Sequence, residues 1–266
     1  MIVLGFDTST RATAVAVRLG DGTTTQARDD PPAGAHPGHA TRLLDMAHQL
    51  LAGAGIAWSE VERVAVGLGP GTFTGLRVGI ATARGLAQSL AVELVGVSSL
   101  QALAAVALSA DAGAFADAGG AVSADAGGTA VNGVLAVTDA RRGEAFAAAY
   151  QPGDRGLPQE LTAARALPPQ ELAGVVAEAR QAIGGAQRRW LAVGDGAVRF
   201  HSELQEAGIA VAPERSPLHL ISAASICELG VCAPAMSLQE IVPDYRRRPD
   251  AELALEGVGT ASSVLT

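Results

Sequence analysis

The sequence predicts an α/β protein of two lobes that repeat one another, and three observations carry that expectation. An apolar run ending in aspartate occurs twice, as Ile2–Phe6 before Asp7 and as Val134–Val137 before Thr138-Asp139. Each run is followed by turn chemistry and an alternating strand, Thr13–Leu19 in the first half and Ala145–Tyr150 in the second. Strand–helix units then follow in both halves, the pattern of a duplicated α/β fold.

Taken in order, Ile2–Phe6 is apolar without a break, as in a strand buried on both faces. Thr13–Leu19 places Val15, Val17 and Leu19 on one face, Gly20-Asp21-Gly22 turns the chain, and Thr23–Arg28 returns. Pro31–Gly38 reads as loop. Ala40, Leu43, Leu44, Ala47, Leu50, Leu51 and Ala54 fall at helical spacing, with Gly53 and Gly55 near the end. Val61–Leu68 is a strand, Gly69-Pro70-Gly71 a structural turn, Thr72–Leu90 a helix, Leu94–Val97 a strand and Leu100–Leu108 a helix. From Ser109 to Thr129 the chain is almost entirely Ala, Gly, Asp and Ser, which offers too little side chain to offset ordering entropy, so a flexible insert is expected. Beyond Tyr150 a helix is expected around Leu172–Ala179, a strand at Trp190–Val193 ending in Gly194-Asp195-Gly196, a helix at Phe200–Ala207, a strand at Ile209–Ala212 and a helix at Ser222–Leu229. The expected division is a first lobe over 1–104, with 221–250 packing back on it, an insert over 105–132 and a second lobe over 133–220.

Composition excludes several function classes. The net charge is -8 and every basic residue is arginine. Without lysine there is no Walker phosphate lysine, Schiff base or lysine general base. Aromatic content is 3%, so neither a counterion-release surface nor a supply of stacking rings marks a free-standing nucleic-acid binder. No run of about 18 apolar residues suits a membrane span. The opening Met1–Asp7 has no basic region, so it reads as a first strand and the expected location is the cytoplasm. Cys227 and Cys232 are expected as reduced thiols.

Two strand-end carboxylates, Asp7 and Asp139, are expected to face each other across an interlobe cleft, where open α/β sheets bind ligands. Asp7-Thr8-Ser9-Thr10 reads either as a turn wrapping a phosphate or as a hydroxyl-rich turn satisfying its own backbone. Gly67–Arg77 joins a strand to a helix. Its glycines suit an anion at the helix N-terminus or, preferred on spacing, a sharp turn and close packing. The following helix is nearly all apolar, and Gly75, Gly79 and Ala83 form a small stripe that admits another backbone, from this chain or from a partner. His36 and His39 lack nearby ligands, and no His-Glu-x-x-His or Gly-x-Ser-x-Gly occurs. Arg141-Arg142 and Arg246–Arg248 suit solvated turns or anion contacts.

Asp7-Thr-Ser-Thr, Gly69-Pro-Gly-Thr-Phe-Thr-Gly-Leu-Arg77, Val97-Ser-Ser-Leu, Asp139-Ala-Arg-Arg and Pro243-Asp-Tyr-Arg resemble, in this order, the TsaB (YeaZ) family. These are B subunits of the bacterial machinery that places threonylcarbamoyl on tRNA adenosine. The resemblance runs from Asp7 to about Arg247, and its Gly-Pro-Gly-x-Phe-Thr-Gly-x-Arg string is specific. It implies a two-lobed actin/hexokinase/Hsp70-like (ASKHA) fold with duplicated ribonuclease-H-like lobes. It also implies a paralogous catalytic D subunit and an ATPase E subunit as partners. The D subunit carries a metal on a His-x-x-x-His motif, whose two histidine positions fall here on Ser99 and Leu103. Neither side chain ligates a metal as imidazole does, so a non-catalytic scaffold is implied, with no metal, no catalytic residue and no tightly bound cofactor. The long Ala/Gly-rich insert departs from the family pattern, and Arg84 stands where the family often carries a basic residue.

On this reading Asp7, Thr8, Ser9, Asp139, Gly194 and Asp195 are the remnant of a nucleotide or phosphate site, with ATP or ADP held there or at the assembled complex. Leu43, Leu44, Ala47, Leu50, Leu51, Leu76, Gly79, Ile80 and Ala83 are expected to form one apolar surface, shared in a homodimer or offered to the D subunit. The tRNA is expected to be met only indirectly. The competing reading is an ATP-using carbamoyl- or phosphoryl-transferase working between Asp7 and Asp139. A metallopeptidase lacks both ligands and nucleophile.

Overall fold

The computed structural model describes residues 1–32, 34–109, 133–184 and 189–246. Most of the expected insert, residues 110–132, and Arg247 and Arg248 lie outside the described residues.

The first half contains β1 (Val3–Asp7), β2 (Thr13–Arg18), β3 (Thr24–Asp29), α1 (His39–Gly53), β4 (Arg63–Gly69), α2 (Phe73–Leu90), β5 (Glu93–Ser98) and α3 (Ser99–Leu108). Its five-stranded sheet has the order β3-β2-β1-β4-β5. The β1–β2 and β2–β3 pairs are antiparallel and the β1–β4 and β4–β5 pairs parallel. The second half contains β6 (Gly133–Arg141), β7 (Glu144–Pro152), β8 (Pro158–Glu160), β9 (Arg165–Leu167), α4 (Leu172–Ala182), β10 (Trp190–Val193), α5 (Asp195–Arg199), α6 (His201–Glu206) and β11 (Ala210–Val211). Its order, β11-β10-β6-β7-β8, repeats the first sheet strand for strand, with β9 added beside β7. This is the duplicated α/β arrangement that the twice-stated opening predicts. The short β8 and β9 are absent from the sequence reading because three residues are too few to show a period of two. The helix expected over Phe200–Ala207 is α6, and a further short helix, α5, precedes it where the sequence reading has only the strand-end Gly194-Asp195-Gly196.

Alternation along the strands divides the apolar residues between layers. Leu4, Phe6, Val15, Val17, Val64 and Val66 point to one face of the first sheet and pack with Leu43, Met46, Ala47 and Leu51 of α1 and Ile80, Ala83 and Ala87 of α2. Val3, Ala14, Ala16 and Ala65 point to the other face and join a core that continues through α3 into Val134, Ala136, Ala148 and Tyr150 of the second sheet. Two helices fill this central layer: α3, and α7 (Ala223–Cys232), which lies on β1, β2 and β4 and touches α3. Close approach there explains Gly5, because a Cβ at that position would overlap Cys227 Sγ. Burial pushes the Cys227 thiol up to about 12, so it stays protonated. Both cysteines are free. Among the described residues no helix is long and apolar enough to cross a membrane.

One buried arginine holds α7 in place. Arg63, 8% exposed, donates from Nη1 to the carbonyl oxygens of Gly230, Val231 and Ala233 at 2.7, 3.2 and 3.0 Å, and it pairs with Glu93. These are the orphan carbonyls that end a helix, and the guanidinium fork suits several at once. Arg63→Met is expected to destabilise the protein by about 3 kcal/mol in denaturant titration, because buried carbonyls lose their donor. A loss under about 0.5 kcal/mol would mean that water satisfies them.

Candidate functional site

The first motif is closed on itself. Asp7 ends β1, and its Oδ1 accepts from Ser9 N at 2.8 Å and Ser9 Oγ at 2.6 Å. Its Oδ2 accepts from Ser99 Oγ at 2.5 Å, and Ser99 Oγ in turn accepts from Gly69 N at 3.2 Å. Asp7, Thr8 and Ser9 are 2%, 1% and 1% exposed. Gly67 lies against the carboxylate, where a Cβ would collide with Oδ2. The Thr8 hydroxyl donates to Gly75 O at 2.8 Å, and Thr72 N donates to Ser9 O at 2.7 Å. A Cβ at Gly71 would overlap Ser9, one at Gly75 the Thr8 carbonyl and one at Gly79 the Thr8 hydroxyl. The small stripe of α2 therefore does admit another backbone, and that backbone is the chain's own Asp7–Ser9 turn. Gly69, at φ +99° and joined to Pro70 by a cis bond, and Gly71 shape the turn that brings α2 against it.

Asp139, Gly194 and Asp195 gather in the second lobe. Asp139 Oδ1 accepts from Arg141 N at 2.8 Å, and Oδ2 accepts from Arg199 Nη1 at 2.7 Å and Arg141 Nη1 at 3.4 Å. Asp139 N donates to Asp195 Oδ1 at 3.0 Å. Asp195 is exposed to solvent although atoms crowd its carboxyl, and that crowding, partly opposed by the Asp139 N–H bond, moves its pKa only in the upward direction. Gly194 has φ +106°, and a Cβ there would overlap the Val137 carbonyl and crowd Leu103. The two strand-end carboxylates are thus bound to separate partners, Asp7 to serines and Asp139 to arginines.

Between them runs the seam of the lobes. Ser99 and Leu103, one turn apart on α3, are both fully buried. Ser99 pins Asp7, while Leu103 joins Leu100, Val134, Ala136 and Val193 in the central core. Among the described residues no three of His, Cys, Asp and Glu gather as a metal site would require. His39 is buried with Nδ1 2.9 Å from Thr13 Oγ1, and burial lowers its pKa despite the nearby Asp7. His219, unremarkable in sequence, is a staple: Gly194 N donates to its Nδ1 at 3.0 Å, and Nε2 lies 3.0 Å from the Ala212 and Pro213 carbonyls.

The expected apolar subunit surface needs correction. Leu43, Ala47, Leu51, Leu76, Gly79, Ile80 and Ala83 are buried inside the protomer, because β1, β2 and β4 require both helices as cover. Leu50 is half-buried, and Leu44 alone of the nine is exposed, at 47%. The outward face of α2 is Thr74, Arg77, Ala81, Gly85 and Gln88. Its alanine and glycine count as apolar in sequence, yet they tolerate water.

Sequence reasoning also missed a contact between motif ends. Arg77 Nε donates to Tyr245 Oη at 2.9 Å across 168 residues. The Phe73 and Tyr245 rings stack with centroids 5.2 Å apart, and the Arg77 guanidinium lies 3.6 Å over Phe73. Asp244 N donates to Leu68 O at 2.8 Å and Arg84 Nη2 to Ile241 O at 2.6 Å, which seats the 241–246 segment beside α2.

Comparison with known proteins follows the same line. Residues 30–254 match the family described as TsaD: tRNA N6-adenosine threonylcarbamoyltransferase. The tRNA threonylcarbamoyladenosine biosynthesis protein TsaB of Escherichia coli is 29% identical over 262 residues, covering 97% of this chain and 99% of that one. An uncharacterized protein of Mycobacterium tuberculosis is 30% identical over 257 residues, covering 94% of this chain and 93% of its own length. The structure of YeaZ from Pseudomonas aeruginosa superposes with a TM-score of 0.69 at 26% identity, covering 91% of this chain and 100% of that chain.

Two sets of substitutions test the packing. Gly75→Ala and Gly79→Ala are expected to lower the melting temperature, by about 2–3 kcal/mol of stability each, through overlap with Thr8. Gly85→Ala, whose Cβ meets nothing within 4 Å, should raise stability by about 0.5–1 kcal/mol. Equal effects at all three positions would refute the close approach.

Proposed function

We propose, since the chain belongs to the TsaB (YeaZ) family within the broader TsaD family of tRNA N6-adenosine threonylcarbamoyltransferases, that it acts in tRNA threonylcarbamoyladenosine biosynthesis as a non-catalytic subunit. The observation that carries the second half is the pair Ser99 and Leu103. Where the resemblance puts the metal-holding histidines of the catalytic paralogue, this chain has a hydroxyl that pins Asp7 and a leucine in the core. The engagement of Asp7 by Ser9 and Ser99 and the packing of Leu103 into the central core support that reading.

In this reading the chain orders the catalytic D subunit, the E-subunit ATPase joins the pair, and tRNA is held mainly by the partners. ATP or ADP is handled at the assembled complex, and the work takes place in the cytoplasm. The docking surface is the outward side of α1 and of the second half of α2, with Leu44 on one helix and Ala81 and Gly85 on the other. Small residues let a partner helix come close, and the D subunit, being a paralogue, presents the same two helices. Self-pairing through this face gives a homodimer when the chain is alone.

The test is reconstitution. Transfer of threonylcarbamoyl to a tRNA transcript should need this chain together with the D and E subunits, and the chain alone should show none. Gly85→Arg and Ala81→Arg alter exposed positions, so the variants should fold, and an unpaired charge trapped in the contact should weaken capture of the D subunit about tenfold or more. Transfer by the isolated chain would sink the scaffold reading. Full capture by both variants would move the interface off this face.

A further inference from the structure

The Gly69–Arg77 motif is only partly explained by folding. Gly71 and Gly75 close on the Asp7–Ser9 turn and Leu76 is fully buried. Phe73 and Arg77 serve neither purpose. In a chain with 3% aromatic residues, Phe73 and Tyr245 lie side by side at the surface, 39% and 41% exposed. The Arg77 guanidinium lies over Phe73, Phe73 stacks against Tyr245, and Arg77 Nε donates to Tyr245 Oη, so guanidinium and Tyr245 ring sit on the same side of Phe73. The neighbouring Asp244 N–H is tied to Leu68 O, which holds this cluster in place. Its rim is polar and partly basic: Arg246, paired with Asp244 at 2.6 Å, follows Tyr245 directly. Val242, 52% exposed, adds the nearest apolar edge in sequence.

Tyrosine and arginine also anchor protein contacts, and partner capture is therefore read beside RNA binding in the test below. A part-exposed tyrosine ring, fixed by a stacked phenylalanine and a guanidinium and followed by an arginine, suits a planar conjugated ligand. Single-stranded RNA is bound by such faces through unstacked bases. We propose that Tyr245 offers its outer face to one unpaired base of the tRNA within the assembled complex, with Phe73 and Arg77 fixing the ring. This rests on the reading above that the chain works in a tRNA-modifying assembly, and it adds a direct contact to an otherwise indirect one. The net charge of -8 gives the chain little general attraction for phosphates, so the contact is short-ranged and adds little to the salt dependence.

The experiment uses the full chain assembled with its catalytic partner and an unmodified tRNA transcript. Tyr245→Ala should lower tRNA affinity about tenfold, Tyr245→Trp should retain it, and the loss should be the same at low and high salt. Capture of the partner, measured on the same samples, should be unchanged. Unchanged affinity in Tyr245→Ala overturns the proposal, as does a Trp variant no better than Ala. Loss of partner capture in step with loss of tRNA would assign the rings to a protein surface and overturn it too. Displacement of the contact by free adenosine would make the site a nucleotide pocket and not an RNA contact. A thiouridine-labelled tRNA should cross-link to this chain within the assembled complex, and the cross-link should be absent with Tyr245→Ala. Failed assembly of the wild-type chain counts against the scaffold reading alone.

Discussion

The hydrogen bonds around Asp7 are the constraint on which the first lobe depends. A carboxylate 2% exposed needs its lone pairs satisfied, and here Ser9 and Ser99 supply the donors. Ser99 belongs to α3, so the bond ties the end of the central strand to the helix that begins the interlobe layer. Its acceptance of Gly69 N draws in the turn before α2 as well. The glycines at 67, 71, 75 and 79 follow from this geometry, since each faces an atom of Asp7, Thr8 or Ser9 too closely for a side chain. A motif that reads as a phosphate cradle thus becomes the hub on which a sheet, a turn and two helices are assembled.

The central layer extends this logic across the molecule. In a fold whose lobes are separated by a cleft, ligands enter between the sheets. Here α3 and α7 fill the space with a continuous apolar core that reaches from Val3 to Tyr150 and Val193. Leu103 of α3 packs close to Gly194 within that core. Interiors packed in this way deform little.

The absence of lysine shapes the polar architecture. Arginine reaches backbone carbonyls with several donors at once, and the chain uses it so repeatedly. Arg63 caps the end of α7, Arg84 holds Ile241 O, Arg28 holds Ile221 O at 2.9 Å and Arg11 holds Ala35 O at 2.7 Å. Each ties an element to a segment distant in sequence or to a loop. Exposed pairs such as Arg165–Glu178 contribute little by comparison.

The sequence by itself determined the duplicated α/β order, because a buried strand on either side of an alternating hairpin declares its periodicity locally. It also determined the glycine turn at 69–71 and the exclusion of lysine chemistry. What only the tertiary structure decided is which backbone fills the α2 stripe, how far Leu76 and Ile80 lie inside, and that Phe73 meets Tyr245. The apolar pattern of α2 says that the helix is buried, but not whether sheet, turn or partner covers each side. Only the arrangement of β1, β4 and the Asp7 turn around it assigns those sides. Likewise a carboxylate at a strand end is the same letter whether it faces a ligand or a serine from another helix. Its role depends on Ser99, 92 residues away, and no local spacing encodes that distance.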